Sequence, residues 1–354
     1  MAEQTAGDSR EERREEKKEQ KKEEKGATDP DSATPDTGAQ RAKAAADQAK
    51  RAASRHSKVA QGLQDLDLWL CDLLRQGFAT LPARSPQCWD DQAARMVDAQ
   101  APGVARLLRE MGGIPNSGEG WMDRLLERVG LLHLLLQGYE HIESPQLTDA
   151  NRADIRDAIG WNVRQEEVYS SPGLLDRWLT MGQRVYVEEQ FRVHRNWLQG
   201  ERTGRSALLL EFVRQGQAPV YSCIPGTGFE AELAFYPGAY PLRALIKEQQ
   251  SDLSSFQTLS GHPDAPTLLM AYADALAANP WLDPFPATLL HAIPVSIPTP
   301  QTTLWALRDN TGHLLPLRPA FTQTWRLLGI SGGHPITVFG EWDGNSFLPL
   351  GVWT

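Results

Sequence analysis

The spacing of apolar residues changes once along this chain, and that change limits the fold more than any other feature. From residue 61 they recur at helical spacing: Leu63, Leu66, Leu70, Leu73 and Leu74, with Trp69 flanking the stripe. Near residue 183 the period drops to two. Val185, Val187, Phe191, Val193 and Trp197 are assigned to one face, and Tyr186, Glu188, Gln190, Arg192, His194 and Asn196 to the other. Helical and strand periods cannot line the same element. The chain is expected to be α+β, with a helical domain over 61–180 followed by β-rich modules over 181–250 and 251–354.

Within the helical part, the first helix should end near Gly77, before Pro82. A second covers roughly 89–101, with Ala93, Met96, Val97 and Gln100 on one face; Pro102 interrupts it, and 104–111 resumes. The most apolar segment, 120–138 (GWMDRLLERVGLLHLLLQG), belongs at the centre of a bundle. A last helix over 148–169 is opened by Thr148 or Asp149 as its N-cap.

In the β half, the alternating run from Val185 and a second strand, 207–213, should form a long hairpin around the loop 200–205. A strand over 229–236 follows the Pro225-Gly226-Thr227-Gly228 turn and stops at Pro237-Gly238, and 242–246 continues as a short strand. Residues 265–279 read as a helix. Asp309-Asn310-Thr311-Gly312 and Asp343-Gly344-Asn345 each sit between apolar runs, which is hairpin chemistry.

Residues 1–60 are different in kind. Positions 11–25 hold seven acids and seven bases and no apolar side chain, so they have no face to bury. Residues 1–60 are expected to be a disordered, charged linker with a marginal helix over 41–58. The net charge of −9 is carried by the rest of the chain, because Lys/Arg and Asp/Glu nearly balance in the first 60 residues. An acidic body disfavours broad, salt-driven nucleic-acid binding, which needs a surplus of cations, although it leaves room for a local basic stripe. Cys71, Cys88 and Cys223 are too few for a disulfide framework and fit a reducing compartment. There is no apolar signal region, and the run from Val129 to Leu136 is too short for a bilayer, so a cytoplasmic chain with no membrane partner is expected.

Gly329-Ile330-Ser331-Gly332-Gly333 has the form G-x-S-x-G, but a nucleophile elbow needs a strand before it, a helix after it, and an acid then a histidine downstream. His334 is the only later histidine and precedes Glu341 and Asp343, so a Gly-rich turn is the better reading. Pro225-Gly226-Thr227-Gly228 lacks the lysine and the following helix of a phosphate loop. His291, His313 and His334 show no metal-ligand spacing, and His133 on its apolar helix reads as a core histidine. The surface with most potential is the hairpin at 184–205. Arg192, His194, Arg195, Arg202 and Arg205 are interleaved with Tyr186 and Trp197, a pattern that can follow a single-stranded backbone while bases stack on the rings. Glu188, Glu189, Glu201 and Glu211 favour an ordinary solvated face instead.

The segments AARMVDAQAPGVARLLRE (93–110), GEGWMDRLLERVGLLHLL (118–135), IGWNVRQEEV (159–168), DRWLTMGQRVYVEEQFRVHRNWLQG (176–200) and GTGFEAELAFYPGAYPLRALIK (226–247) resemble the region C-terminal to the zinc finger in bacterial SWIM zinc-finger proteins. The charged leader is similar to the linker such proteins carry after the finger. The finger itself is Cys-x-Cys followed by Cys-x-His, and none of the three cysteines here supplies either half. No cofactor is therefore expected in this chain, and zinc only if a finger is encoded upstream. The resemblance implies a non-enzymatic interaction or scaffold module with an unidentified protein partner. The alternatives are single-strand nucleic-acid binding through the hairpin and, with less support, a hydrolase at Ser331.

Overall fold

The computed structural model describes residues 37–83, 86–188, 190–214, 216–257, 259–298 and 303–354. The charged stretch 11–25 lies outside them. Contacts divide the chain between Ser57 and Lys58. Up to Ser57 the described structure is helical backbone, the first part of α1 (Thr37–Gln76).

The apolar stripe of α1 buries Val59, Leu63, Leu66, Leu70 and Leu73, while Leu74 stays 45% exposed. The helix ends at Gly77, whose φ of 76° gives the left-handed turn that releases the chain. Proline then sets the next boundary. It costs nothing at the first helical position, where its missing N–H has no partner to lose. Pro102 accordingly opens α3 (Pro102–Gly112) rather than kinking one long helix, and α2 is Gln87–Asp98. The buried face of α2 is Trp89, Gln92, Ala93 and Met96. The expected face is thus rotated, and Val97 is exposed. α4 (Trp121–Glu140) is the central helix, burying Leu125, Val129, Leu132, Leu135, Leu136 and Tyr139.

Thr148 caps α5 (Asp149–Ile159) through a capping box with Asn151, as its sequence suggested. The single helix expected over 148–169 is in fact two. Gly160 at φ 95° terminates α5, and α6 is Gln165–Ser170. The helices up to α5 share one core, whereas Val168 of α6 packs with Ala234, Tyr236 and Leu245. His133 is not part of it: its side chain is 51% exposed and its Nδ1 lies 2.8 Å from Asp67.

Two antiparallel sheets follow. The first has the order β3-β2-β1-β4-β5, from β1 (Leu174–Glu188), β2 (Phe191–Gly200), β3 (Ser206–Arg214), β4 (Thr227–Phe235) and β5 (Ala244–Gln249), with β6 (Ser254–Ser255) paired to β4. Its edges approach each other: the Leu208 N–H donates to Leu242 C=O at 2.7 Å, and Leu208 bridges Arg243. The curled sheet encloses Trp178, Leu198, Leu209, Phe229 and Leu233.

β1 begins at Leu174, inside the stretch expected to be helical. Its residues from Trp178 to Gly182 are all buried. A strand covered on both faces shows no alternation, which is why the period-two signal started late.

The second sheet has the order β11-β10-β7-β8-β9. Its strands are β7 (Phe285–Pro298), β8 (Thr303–Arg308), β9 (Leu314–Pro316), β10 (Ile336–Trp342) and β11 (Phe347–Trp353), and α7 (Ala265–Ala278) packs on β7. Both Asp-led turns form as read. Asp309 is buried and accepts from the N–H groups of Thr311, His313 and Ala265. Asp343 accepts from those of Asn345 and Ser346.

The sheets meet where Leu179, Met181 and Trp197 face Phe339. Gly182 permits this contact, since a Cβ there would stand 2.7 Å from Leu350 Cβ and 2.9 Å from the Phe339 ring.

Candidate functional site

The expected hairpin surface is reorganised by one fact of register. Glu188 pairs with Phe191, so only two residues separate β1 from β2. Cross-strand partners share a face in an antiparallel pair. Arg184 therefore lies with Arg195, and Tyr186 with Val193, while His194 lies with Val185. The assignment of Val185, Val187, Val193 and Trp197 to a common face is overturned, because the turn exchanges odd and even positions between the two strands.

The seven residues singled out from sequence consequently divide. Arg195 and Trp197 turn toward the second sheet, where Glu341 of β10 is fully buried. Glu341 accepts from Trp197 Nε1 at 2.9 Å and from Arg195 Nε at 3.1 Å, with Arg184 Nη1 at 3.5 Å. Tyr186 shares that face, and the Arg184 guanidinium lies over its ring, 5.2 Å from the centroid. His194 points the other way and is 8% exposed, with neither ring nitrogen hydrogen-bonded among the described residues. Arg192 is solvent-exposed.

At the far end of β2, Arg202 Nε donates to Asp176 at 3.0 Å and its Nη2 to Glu230 at 3.2 Å. Burial would raise the Asp176 carboxyl, yet hydrogen bonds from Thr203 and Arg202 outweigh it and hold the group below the usual range. Arg205 lies 3.9 Å over the Phe235 ring. Most of the predicted arginines are thus occupied inside the molecule.

Tyr186, Arg195 and Trp197 do take part in a larger feature that sequence reasoning missed. The outer face of β1–β2–β3 forms one wall of a cleft of about 680 Å³. The opposite wall comes from α3 and α5 of the bundle, through Arg106 and Asp157. The floor is the segment 236–243, and the 279–284 link between α7 and β7 closes one side. A smaller cavity of about 460 Å³ shares Arg106, Asp154, Asn279 and Trp281 with it.

Asp154 ties these walls together. It is 7% exposed, and it accepts the Ala239 N–H at 2.9 Å and Asn279 Nδ2 at 3.1 Å. Gly238 makes this approach possible, because a Cβ there would sit 2.5 Å from Asp154 Oδ1. Burial pushes the Asp154 carboxyl up to about 6, against the lowering effect of the Ala239 N–H, and the Asp157 charge adds to the rise. Asp157 is exposed where Asp154 is buried, but the protein crowded around it raises its carboxyl in the same direction, with Arg243 and Arg106 pulling it back. Trp281 fastens the same junction by donating Nε1 to Leu131 C=O of α4 at 3.1 Å. The only trace of this in the sequence is Asp154 beside Ile155 on the buried arc of a short helix, and an acid at a helix surface rarely announces a junction.

The other motifs resolve simply. Ser331 ends α8 (Thr324–Ser331), so a helix rather than a strand precedes it, and its Oγ donates to His334 C=O at 2.6 Å. The expected Gly-rich turn is limited to Gly332 and Gly333, both at positive φ. Thr227 opens β4 directly after Gly226, so that glycine loop leads into a strand. Among the described residues no three His, Cys, Asp or Glu side chains gather as a metal site would require, and no helix is long and apolar enough to cross a membrane. Among the described residues no disulfide joins Cys71, Cys88 or Cys223, and burial together with the Glu211 charge pushes the Cys223 thiol up to about 12.

Residues 54–159 match the family model of the SWIM-associated four-helix bundle domain. The chain carries that domain, and its bounds coincide with the bundle from the later part of α1 to the end of α5. The resemblance to the region following a SWIM finger therefore stands for the bundle. Both sheets lie beyond the match, and no curated protein or solved structure matches the chain.

Proposed function

We propose that this protein is a non-enzymatic interaction module in which the SWIM-associated bundle and the β half together receive a protein partner in the cleft between them. One observation carries this reading: a cleft of about 680 Å³ draws its walls from both parts. Pockets formed where separately built elements meet are common ligand sites. Asp154 to Ala239 and Trp281 to Leu131 tie the two parts together beside this space. Single-strand binding at 184–205 has less support, since Arg195, Trp197 and Arg202 already serve internal carboxylates. A hydrolase at Ser331 has less still, because its hydroxyl is committed to a turn.

Display panning of random peptides on the purified chain tests the proposal. Enriched peptides should compete with one another and slow amide exchange across 236–243 and 279–284. Peptides that bind but protect only other segments would refute the site. Failure to enrich any peptide would refute the receptor reading altogether.

A further inference from the structure

We infer that the inner face of the β1–β2–β3 sheet holds a separate site for a small neutral molecule with a carboxamide head and an apolar body, the amide seated between Glu211 and Asn196 beside His194. This face is the reverse of the one that lines the cleft, so the inference is independent of the receptor reading.

Register brings the residues together. Val185, His194 and Glu211 are direct partners across the three strands, and Gln183 lies opposite Asn196. Asn196 in turn lies opposite Leu209, and Leu198 opposite Ala207, apolar side chains of the core that the curled sheet encloses. One face thus runs from Val187 and Val185 at the hairpin end, 76% and 44% exposed, through a polar row and into that core. Val220, 83% exposed, and Tyr221 flank the row and donate their N–H groups to Glu211 Oε1 at 2.8 and 3.3 Å.

Unmet hydrogen-bonding capacity marks this row as a site. Among the described residues seven buried side-chain polar atoms have no hydrogen-bond partner. Five of them share this face: Thr180 Oγ1, both ring nitrogens of His194, Asn196 Nδ2 and Glu211 Oε2. The other two, Gln199 Oε1 and Trp342 Nε1, lie elsewhere. His194 is 8% exposed and Asn196 1%, so bulk water does not reach them freely. Folding takes such atoms from water without repaying them, and a bound group that pairs with them relieves the cost.

The arrangement of donors and acceptors selects that group. Glu211 Oε2 requires a donor. Asn196 Nδ2 requires an acceptor, because its Oδ1 already accepts from Gln183 Nε2 at 2.7 Å. A neutral imidazole supplies one of each. An ammonium only donates and leaves Asn196 unmet; a carboxylate only accepts and meets Glu211 with like charge. A primary amide does both, its NH2 donating to Glu211 and its C=O accepting from Asn196. These two residues are diagonal neighbours on adjacent strands, about 7–8 Å apart, which suits an amide with a hydrogen bond at each end.

Ordered water is the competing occupant, since it also donates and accepts. The exposed valines separate the two. Water gains nothing from Val185, Val187 and Val220, whereas an apolar body removes them from solvent. Small-molecule sites combine such an apolar lining with a few convergent polar groups, and the mouths of curled sheets are a common place for them.

The test is saturation-transfer NMR on the full chain with benzamide, benzoate and benzylamine, which share a ring and differ in the head group. Benzamide should bind most tightly, by about fivefold or more. Glu211→Gln leaves an oxygen for Val220 and Tyr221 and turns the unpartnered Oε2 into a donor. It should weaken benzamide by about tenfold and strengthen benzoate, an exchange of preference that a purely structural role would not produce. His194→Leu removes two unpartnered atoms, so it should melt no lower than wild type while binding benzamide more weakly. An unchanged order of the three probes in Glu211→Gln, or equal binding of all three to wild type, would overturn the amide assignment. Full benzamide affinity in His194→Leu, or displacement of benzamide by peptides selected for the cleft, would overturn the location. No saturation transfer from benzamide would leave water as the occupant and overturn the site, with the receptor reading untouched.

Discussion

Replacing Glu341 with leucine should be among the most costly single changes outside the hydrophobic cores. Glu341 is fully buried and receives Trp197 Nε1 at 2.9 Å and Arg195 Nε at 3.1 Å from the other sheet. A hydrogen bond to a charged group contributes about 1.5–3 kcal/mol, and removing one member of a buried ion pair typically costs about 3–5 kcal/mol, since the remaining charge loses its compensation. Arg195 is left with a side chain only 16% exposed, so water replaces little of what it loses. We expect a loss of about 3–5 kcal/mol for Glu341→Leu and about 1.5–3 kcal/mol for Glu341→Gln, in which the Trp197 bond survives. Urea unfolding followed by tryptophan fluorescence measures this directly.

The Arg195→Leu/Glu341→Leu double variant separates the pair from general damage. Removing both charges together should cost at least about 1.5 kcal/mol less than the sum of the single changes. Adding salt should alter the wild-type value little, because a buried pair is weakly screened. A Glu341→Leu protein within about 1 kcal/mol of wild type would refute the idea that this carboxylate joins the sheets.

The Asp154 carboxyl is raised in the folded protein, so its proton is bound more tightly there than in the unfolded chain. Its contribution is fully present below the ordinary carboxyl value of 3.8 and is lost as pH rises through about 6, by at most about 3 kcal/mol. The stability of Asp154→Asn relative to wild type should therefore improve from pH 4 to pH 7 in thermal melts; a constant difference would remove Asp154 as the source. Gly182→Ala should cost about 1–3 kcal/mol by forcing Leu350 and Phe339 away from β1, whereas Gly204→Ala, with open space around it, should lose only what its positive φ demands. Equal melting temperatures for the Gly182→Ala variant and wild type would show that the sheets can separate freely.

The features legible in the sequence are those decided by neighbours in the chain. The Leu63–Leu73 stripe, the Thr148 cap, the Gly77 stop and the turns led by Asp309 and Asp343 all depend on residues within one or two turns of each other. The α+β order of the chain follows from them. The first half of β1 escaped because burial on both faces erases alternation. The hairpin surface was misassigned because two residues of turn decide which strand positions share a face, and periodicity read straight through them.

The cleft could not have been read at all. Asp154, Tyr236 and Trp281 lie far apart in sequence and are brought together only when the bundle closes against the β half. Likewise, nothing near Arg195 or Trp197 in the chain indicates that Glu341, more than 140 positions away, will take up both donors. Local chemistry determined the elements. The pairing of charges across them, and the cleft they enclose, were decided by packing, because burial is what makes an unpaired carboxylate or indole costly enough to dictate its partner.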